Sequence, residues 1–423
     1  MRSFGRIGLA VVAALVLLGA PVRGEDKEAL QRRINRAKER GVAYLKGLLA
    51  KNENGLTYPA NFQGTLSFTV GPTALAGLTL LECGVPADDK AVQRVAQIVR
   101  KEGIGLTKTY ELSLAIMFLE RLGDEGDVPL MESLAIRLMA GQNAAGGWSY
   151  DCPPISEAEV KRLKEHYRGR SELVSKRKLP EKSEAPKKRT VDDLPQEIKD
   201  QLAQIAQQGN GRLNLTTGDN SNTQFATLAL WIARRKGLPT HRALVRVEAR
   251  FRECQNQTTG KWGYTANPED GAALNFRTPQ EAAESFKKES MICAGLLGLA
   301  VAHGTGKKES APPLEDPAIR RALAMLGREI DRPGEKRQPD LYFLWSLERV
   351  GVLYDLRQID GKDWYAWGRK VLLARQQVNG SWTGGGYHGA NPVIDTCFAL
   401  LFLNQANLAG DLTAKLRLLS EKK

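Results

Sequence analysis

The chain has 423 residues and a formal net charge of +13; with an N-terminal leader set aside, about 400 residues remain, more than one conventional core holds, so two domains or a repeat architecture is expected. Twelve Lys/Arg against four Glu lie between Lys161 and Arg189, a surplus of eight in one segment, so the basicity is local and no nucleic-acid partner is expected. Five scattered cysteines, Cys83, Cys152, Cys254, Cys293 and Cys397, form no C-x-x-C pair and exclude a zinc ribbon or a dense disulfide framework.

Residues 1–24 read as a secretory signal peptide. Arg2 and Arg6 precede an apolar run from Ile7 to Ala20, shorter than the roughly 20 residues that cross a bilayer. Cleavage near Ala20 or Gly24 and a secreted or periplasmic location are expected. Residues 25–152 then alternate two kinds of helical segment: 28–50, 90–101 and 129–141 are amphipathic, whereas 72–83 and 109–122 are apolar nearly all round. A charged, partly disordered insertion follows at 153–211, with one or two exposed helices that interrupt the architecture without belonging to it. Its surplus charge makes it a candidate for peripheral contact with a membrane surface. Residues 212–410 resume the alternation, with apolar 221–233, 290–303, 341–350 and 395–403 between amphipathic 240–253, 317–330 and 363–377. Residues 411–423 read as a C-terminal tail.

Three of the joints share a pattern: QNAAGGW from Gln142 through Gly146 to Trp148, NQTTGKW from Asn256 through Gly260 to Trp262, and QQVNGSW from Gln376 through Gly380 to Trp382. In the second, Asn256 stands in the Gln place with Gln255 beside it. KNENGLTY, from Lys51 to Tyr58, is a degenerate fourth copy. Gln can hydrogen-bond backbone at a helix end, Gly permits the left-handed turn that stops a helix, and Trp supplies a broad packing surface. A structural role is expected for all of them. Six apolar and six amphipathic helices in alternation give six hairpins, closed as an inner ring inside an outer one: an all-α fold, an α/α toroid.

With these repeats, 36–408 outside the insertion resembles the superfamily of squalene and hopene cyclases and protein prenyltransferases, whose cyclase branch carries Q-x-x-x-G-x-W repeats between the helices of an α/α toroid. The resemblance implies function at the N-termini of the inner helices, where helix dipoles present their positive ends. Asp219, Ser221, Asp340 and Asp395 stand at these starts, and each is also a good N-cap. A cyclase of this family protonates its substrate with the middle Asp of D-x-D-D-T-A. Here Asp219 and Thr223 match, but Ser221 and Asn222 replace the later carboxylates, and neither can deliver that proton; a second copy keeps only Asp395 and Thr396. A prenyltransferase holds zinc with an Asp-x-Cys pair and a His. Asp395 and Cys397 have that spacing, and His388 precedes them on a Gly-rich loop.

The ring is therefore expected to be non-catalytic, binding an apolar, isoprenoid-like small molecule, a lipid or a polymer, or acting as a scaffold. Its cavity candidates are Asn222, Thr223, Gln224, Phe225, Tyr387, His388, Thr396 and Phe398, with Phe118, Trp231, Phe343, Trp345 and Phe402 as further inner-helix aromatics whose plain role is core packing. No cofactor is expected. The alternatives are a divergent enzyme of the same superfamily using Asp219 or Asp395, with zinc at Asp395, Cys397 and His388, or a glycan-cleaving helical barrel using Asp219, Glu289, Asp340 and Asp395.

Overall fold

The computed structural model describes residues 27–57, 69–168, 189–207, 218–265, 289–306, 311–332, 339–387 and 389–421. The signal-peptide reading, His388 and the middle of the insertion lie outside them. The described residues form fifteen α-helices. The six inner ones are α2 (Val70–Glu82), α4 (Thr109–Leu122), α8 (Asn220–Ala233), α10 (Ser290–Thr305), α12 (Leu341–Leu353) and α14 (Pro392–Asn404). Helix α10 shows why they are inside: every residue from Ser290 to Gly304 is buried, so no face is left for water. Each packs on the next, α2 on α4, α4 on α8, α8 on α10, α10 on α12, α12 on α14, and α14 back on α2, which closes the ring.

Outside them lie α1 (Lys27–Lys51), α3 (Lys90–Glu102), α5 (Val128–Gly141), α9 (His241–Glu253), α11 (Pro317–Glu329) and α13 (Trp364–Arg375). Their apolar positions recur at three- and four-residue steps, as in α3, where Val92, Val95 and Val99 are buried. Asp89, Asp316 and Asp363 cap three of these helices, each accepting a backbone N–H.

At or just beyond the C-terminal end of each outer helix, oxygen atoms meet a cation from the next outer unit around the ring, backbone carbonyls at five joints and glutamine side chains at the sixth. Arg94 donates to Leu49 O and Ala50 O at 2.8 and 3.1 Å, Arg137 to Ile104 O at 3.1 Å, and Arg246 to Asn143 O at 2.7 Å. Lys362 reaches Ile330 O at 2.6 Å. Arg321 binds the side-chain oxygens of Gln255 and Gln257 at 3.1 and 2.7 Å. The circle closes where Arg40 of the first helix donates to Gln377 O and Val378 O beyond the last, at 2.6 and 2.8 Å.

The Trp motifs act at the same joints. Gln142, Gln255 and Gln376 each donate one bond to the carbonyl of their own motif glycine and another to the following outer helix, at Ala243 O, Ala318 O and Ala37 O (2.8, 2.9 and 2.8 Å). Gln255, not Asn256, thus fills the Gln place. Asn256 instead accepts from Thr258 N and Thr259 N in a local turn. The indoles of Trp148, Trp262 and Trp382 are buried and donate to Leu138 O, Phe251 O and Leu372 O. The degenerate copy works too: Leu56 N donates to Thr73 Oγ1 at 2.8 Å, as Trp148 N and Trp382 N do to Thr223 and Thr396.

Two expectations need correction. The insertion helices α6 (Glu157–Arg168) and α7 (Gln196–Gln207) are docked against the ring rather than held away from it: Leu163 and Ile198 are wholly buried, and Tyr167 donates to Asp127 at 3.0 Å. Apolar residues at helical spacing, masked in sequence by the surrounding charge, make that contact. The C-terminal tail is helix α15 (Gly410–Ser420), which buries Leu412, Leu416 and Leu419 and packs on α10 and α12. All five cysteines are free, and no described helix is long and apolar enough to cross a membrane.

Gly380 turns at φ +90° with a would-be Cβ 2.5 Å from Arg40 O, whereas Gly361 turns at φ +74° with nothing within 4 Å. Gly361→Ala is expected to cost about 1 kcal/mol from backbone strain alone, and Gly380→Ala about 3 kcal/mol because it also forces the closing joint apart, measured by urea unfolding. Equal losses would show that this joint does not carry the ring.

Candidate functional site

At the inner-helix N-termini the motif loops fold over one another. Asp219 N donates to Trp148 O at 3.0 Å and Asn220 N to Tyr264 O at 2.7 Å. Asp219 caps α8: one carboxylate oxygen accepts from Asn222 N at 2.6 Å, the other from Asn222 Nδ2 at 2.7 Å. Tyr264 also bonds it, and the buried Arg250 lies nearby. Burial nevertheless dominates these donors and raises the Asp219 carboxyl to about 6. Arg250 holds the surrounding loops through Asn220 Oδ1 at 2.9 Å and Gly218 O at 3.1 Å.

Below this rim, hydrogen bonds run across the lumen from α8 to α12, which are not neighbours in the ring order. Tyr110 donates to Ser221 Oγ at 2.7 Å, and that hydroxyl meets Tyr342 OH at 2.6 Å. Gln224 Nε2 also donates to Tyr342 OH, while Gln224 Oε1 accepts from Arg349 Nη2 at 2.7 Å. Phe225 sits between Tyr110 and Trp345, with ring centroids 5.0 and 5.3 Å away. Trp345 stacks on Phe398 at 4.5 Å. The aromatic residues expected to wall a cavity therefore pack on each other, and the hydroxyls and amides tie α8 to α12, two places further around the ring.

Of the cavity candidates, Asn222, Thr223, Gln224 and Phe225 are buried on α8, and Phe398 and Thr396 on α14. Thr223 and Thr396 serve the Trp joints rather than the lumen. Among the caps, Asp219 and Asp340 bond the N–H groups of Asn222 and Phe343 as expected. Helix α14 is capped by Asn391 instead of Asp395, because the helix starts at Pro392, three residues before Asp395. Ser221 lies inside α8.

Asp395 is in the first turn of α14, accepting from Gly384 N at 2.8 Å and Tyr387 OH at 2.5 Å. Cys397, two residues on and so roughly 200° around the helix, sits against Thr79, its thiol pushed up to about 12 by burial. The two side chains thus meet different neighbours, Asp395 the Gly384 and Tyr387 donors and Cys397 Thr79. Among the described residues no three His, Cys, Asp or Glu side chains stand close enough to hold a metal.

Arg349, Tyr342, Tyr110, Tyr264 and Arg250 were not singled out from sequence. One signal was available: Glu348 and Arg349 are adjacent charges inside an otherwise apolar segment, and charged residues are rarely buried without a reason. A depression of about 470 Å³ lies at the opposite end of the ring, between the C-termini of α12 and α14, and includes Trp364, Asp355 and Arg417.

No family model matches the chain, and no curated protein matches it in sequence. Among solved structures it resembles a type II terpene cyclase from Scytonema in complex with geranylgeranyl dihydroxybenzoate, its substrate: TM-score 0.52 at 12% identity, covering 90% of this chain and 99% of that one. The fold is thus a terpenoid cyclase-like α/α toroid.

Asp219 ionises near 3.8 when unfolded and about 6 in the fold, so its contribution to stability is present below pH 4 and is lost as pH rises through 6. Relative to Asp219→Asn, wild-type stability is expected to fall by about 2 kcal/mol from pH 4 to pH 7, read from urea midpoints across that range. A pH-independent difference would contradict the burial assigned to this carboxyl.

Proposed function

We propose that this chain is an exported ring that binds its ligand rather than transforming it. The observation that carries this reading is the state of Asp219. Both of its oxygens are occupied by Asn222, and Ser221 and Asn222 fill the positions where a cyclase of the resembled family has carboxylates. A carboxylate that accepts capping bonds, beside an amide and a hydroxyl, offers no strong acid to an alkene. The inner-helix residues support binding: hydroxyl, amide and guanidinium groups interleaved with aromatic rings suit a small amphiphilic ligand better than a long polymer. The signal-peptide pattern read in residues 1–24 supports export, and the basic insertion is proposed as a peripheral membrane contact.

A second reading is favoured by one feature. Asp219, raised to about 6 amid tyrosines, has the ionisation of a general acid or base, which fits a divergent enzyme or a glycan-cleaving barrel.

Purified protein incubated with squalene and with a geranylgeranyl-bearing aromatic acid is expected to give no cyclised product by mass spectrometry. Native mass spectrometry is expected to show a co-purifying small molecule, lost in Trp345→Ala. Turnover of either compound, or of a glycan panel, that disappears in Asp219→Asn would replace the binding reading with the enzymatic one.

A further inference from the structure

Arg349 is left unexplained by the joints and by the rim. It is 7% exposed, projecting from α12 into the ring. Its guanidinium carbon lies 3.8 Å from the Trp345 ring centroid and 5.7 Å from that of Phe225. Nη2 donates to Gln224 Oε1 and to Ser346 Oγ at 2.7 and 3.1 Å, but Nε and Nη1 have no acceptor, and neither does the indole N–H of Trp345.

Its sequence neighbour Glu348 does not supply the missing partner. That side chain is wholly buried, both of its oxygens are unpartnered, and no ion pair links it to Arg349. Burial pushes the Glu348 carboxyl well above the ordinary range, the nearby guanidinium opposing only part of the shift. With no ion pair to Glu348, the guanidinium has no carboxylate partner among the described residues. Buried guanidinium groups elsewhere in this ring are treated differently: Arg137 and Arg250 are spent on several carbonyl and amide oxygens. An isolated buried charge is costly to a fold unless something pairs with it.

We propose that Arg349 anchors an oxyanion, a carboxylate or a phosphate, carried by a ligand that enters at the inner-helix N-termini. Free N–H groups on Nε and Nη1, with the Trp345 indole as a further donor, match acceptor oxygens. Gln224 acts as the positioning residue: its amide nitrogen is committed to Tyr342 OH, which orients its oxygen toward Nη2. The apolar part of the ligand packs against Phe225 and Tyr342. This assignment rests on the binding reading above and names the chemistry that the ligand carries.

Isothermal titration of the wild type with farnesoic acid, farnesyl phosphate and farnesol tests it. One of the two anions is expected to bind at least tenfold more tightly than the alcohol. Arg349→Gln is expected to erase that preference, while Glu348→Gln keeps it. Should Arg349→Gln fail to fold, Gln224→Met, which leaves the charge in place but releases its orientation, is expected to lower anion affinity severalfold with little effect on the alcohol. Inorganic phosphate or acetate binding as tightly as the farnesyl anions would support the anchor and make the ligand a free oxyanion. Farnesol binding as well as both anions would overturn the oxyanion assignment and leave the binding reading intact. Loss of the preference in Glu348→Gln alone would also overturn it. If no compound binds and none shifts the melting temperature, both readings fall.

Discussion

A helix ends with carbonyl groups that have lost their internal partners, and in a closed ring of helices those ends are crowded against neighbours rather than free in water. A cation answers the helix end at every joint, through backbone carbonyls at five of them and through glutamine side-chain oxygens where Arg321 meets Gln255 and Gln257. A long cationic side chain from the following outer unit reaches back over the end of the preceding one, from Arg94 at the first joint to Arg40 at the last. A cation at a helix C-terminus also opposes the negative end of the dipole, so each contact is favoured twice. Because Arg40 belongs to the first helix and its acceptors follow the last, chain closure needs no special device.

The glutamine and tryptophan of the repeated motif add directionality to that attraction. An arginine alone would tolerate sliding, but the Gln amide bridges its own turn and the next helix, and the indole is fixed from behind by a carbonyl of the helix it follows. Outer helices can therefore be basic and solvent-facing without loosening the frame. Some of the positive charge that a composition count assigns to a partner is used internally for this purpose.

Inside the frame the same residue type has the opposite circumstances. Arg349 lies among aromatic rings with part of its donor set unused, and Gln224 and Tyr342 hold it across the ring. These cross-ring bonds also explain why the aromatic side chains of α8, α12 and α14 are stacked together. Polar ties join α8 to α12, and the aromatic rings pack among them. Asp219 belongs to the rim above this layer. Its neighbours make it a helix cap with a raised ionisation.

The helices were legible in the sequence because burial on every face or on one face leaves a periodic record: residues 109–122 were predicted as the helix observed, and the others differ by one to three residues at the ends. The Trp motifs were legible as joints because Gly and Trp in fixed order have few other uses. What the sequence could not show depends on side chains distant in the chain. Gln255 rather than Asn256 takes the motif place because its amide, and not the shorter one, reaches Ala318. Asn391 displaces Asp395 as a cap because Pro392 opens the helix three residues before Asp395, which leaves the Asn391 amide oxygen to accept from Val393 N and Ile394 N. Arg349 looked like one charge beside another until α8 and α12, separated by more than a hundred residues, faced each other across the ring. Local periodicity determined the elements and their alternation; the closure of the ring alone decided which polar groups meet, since hydrogen bonds are short and the residues that share them are brought together only by tertiary packing.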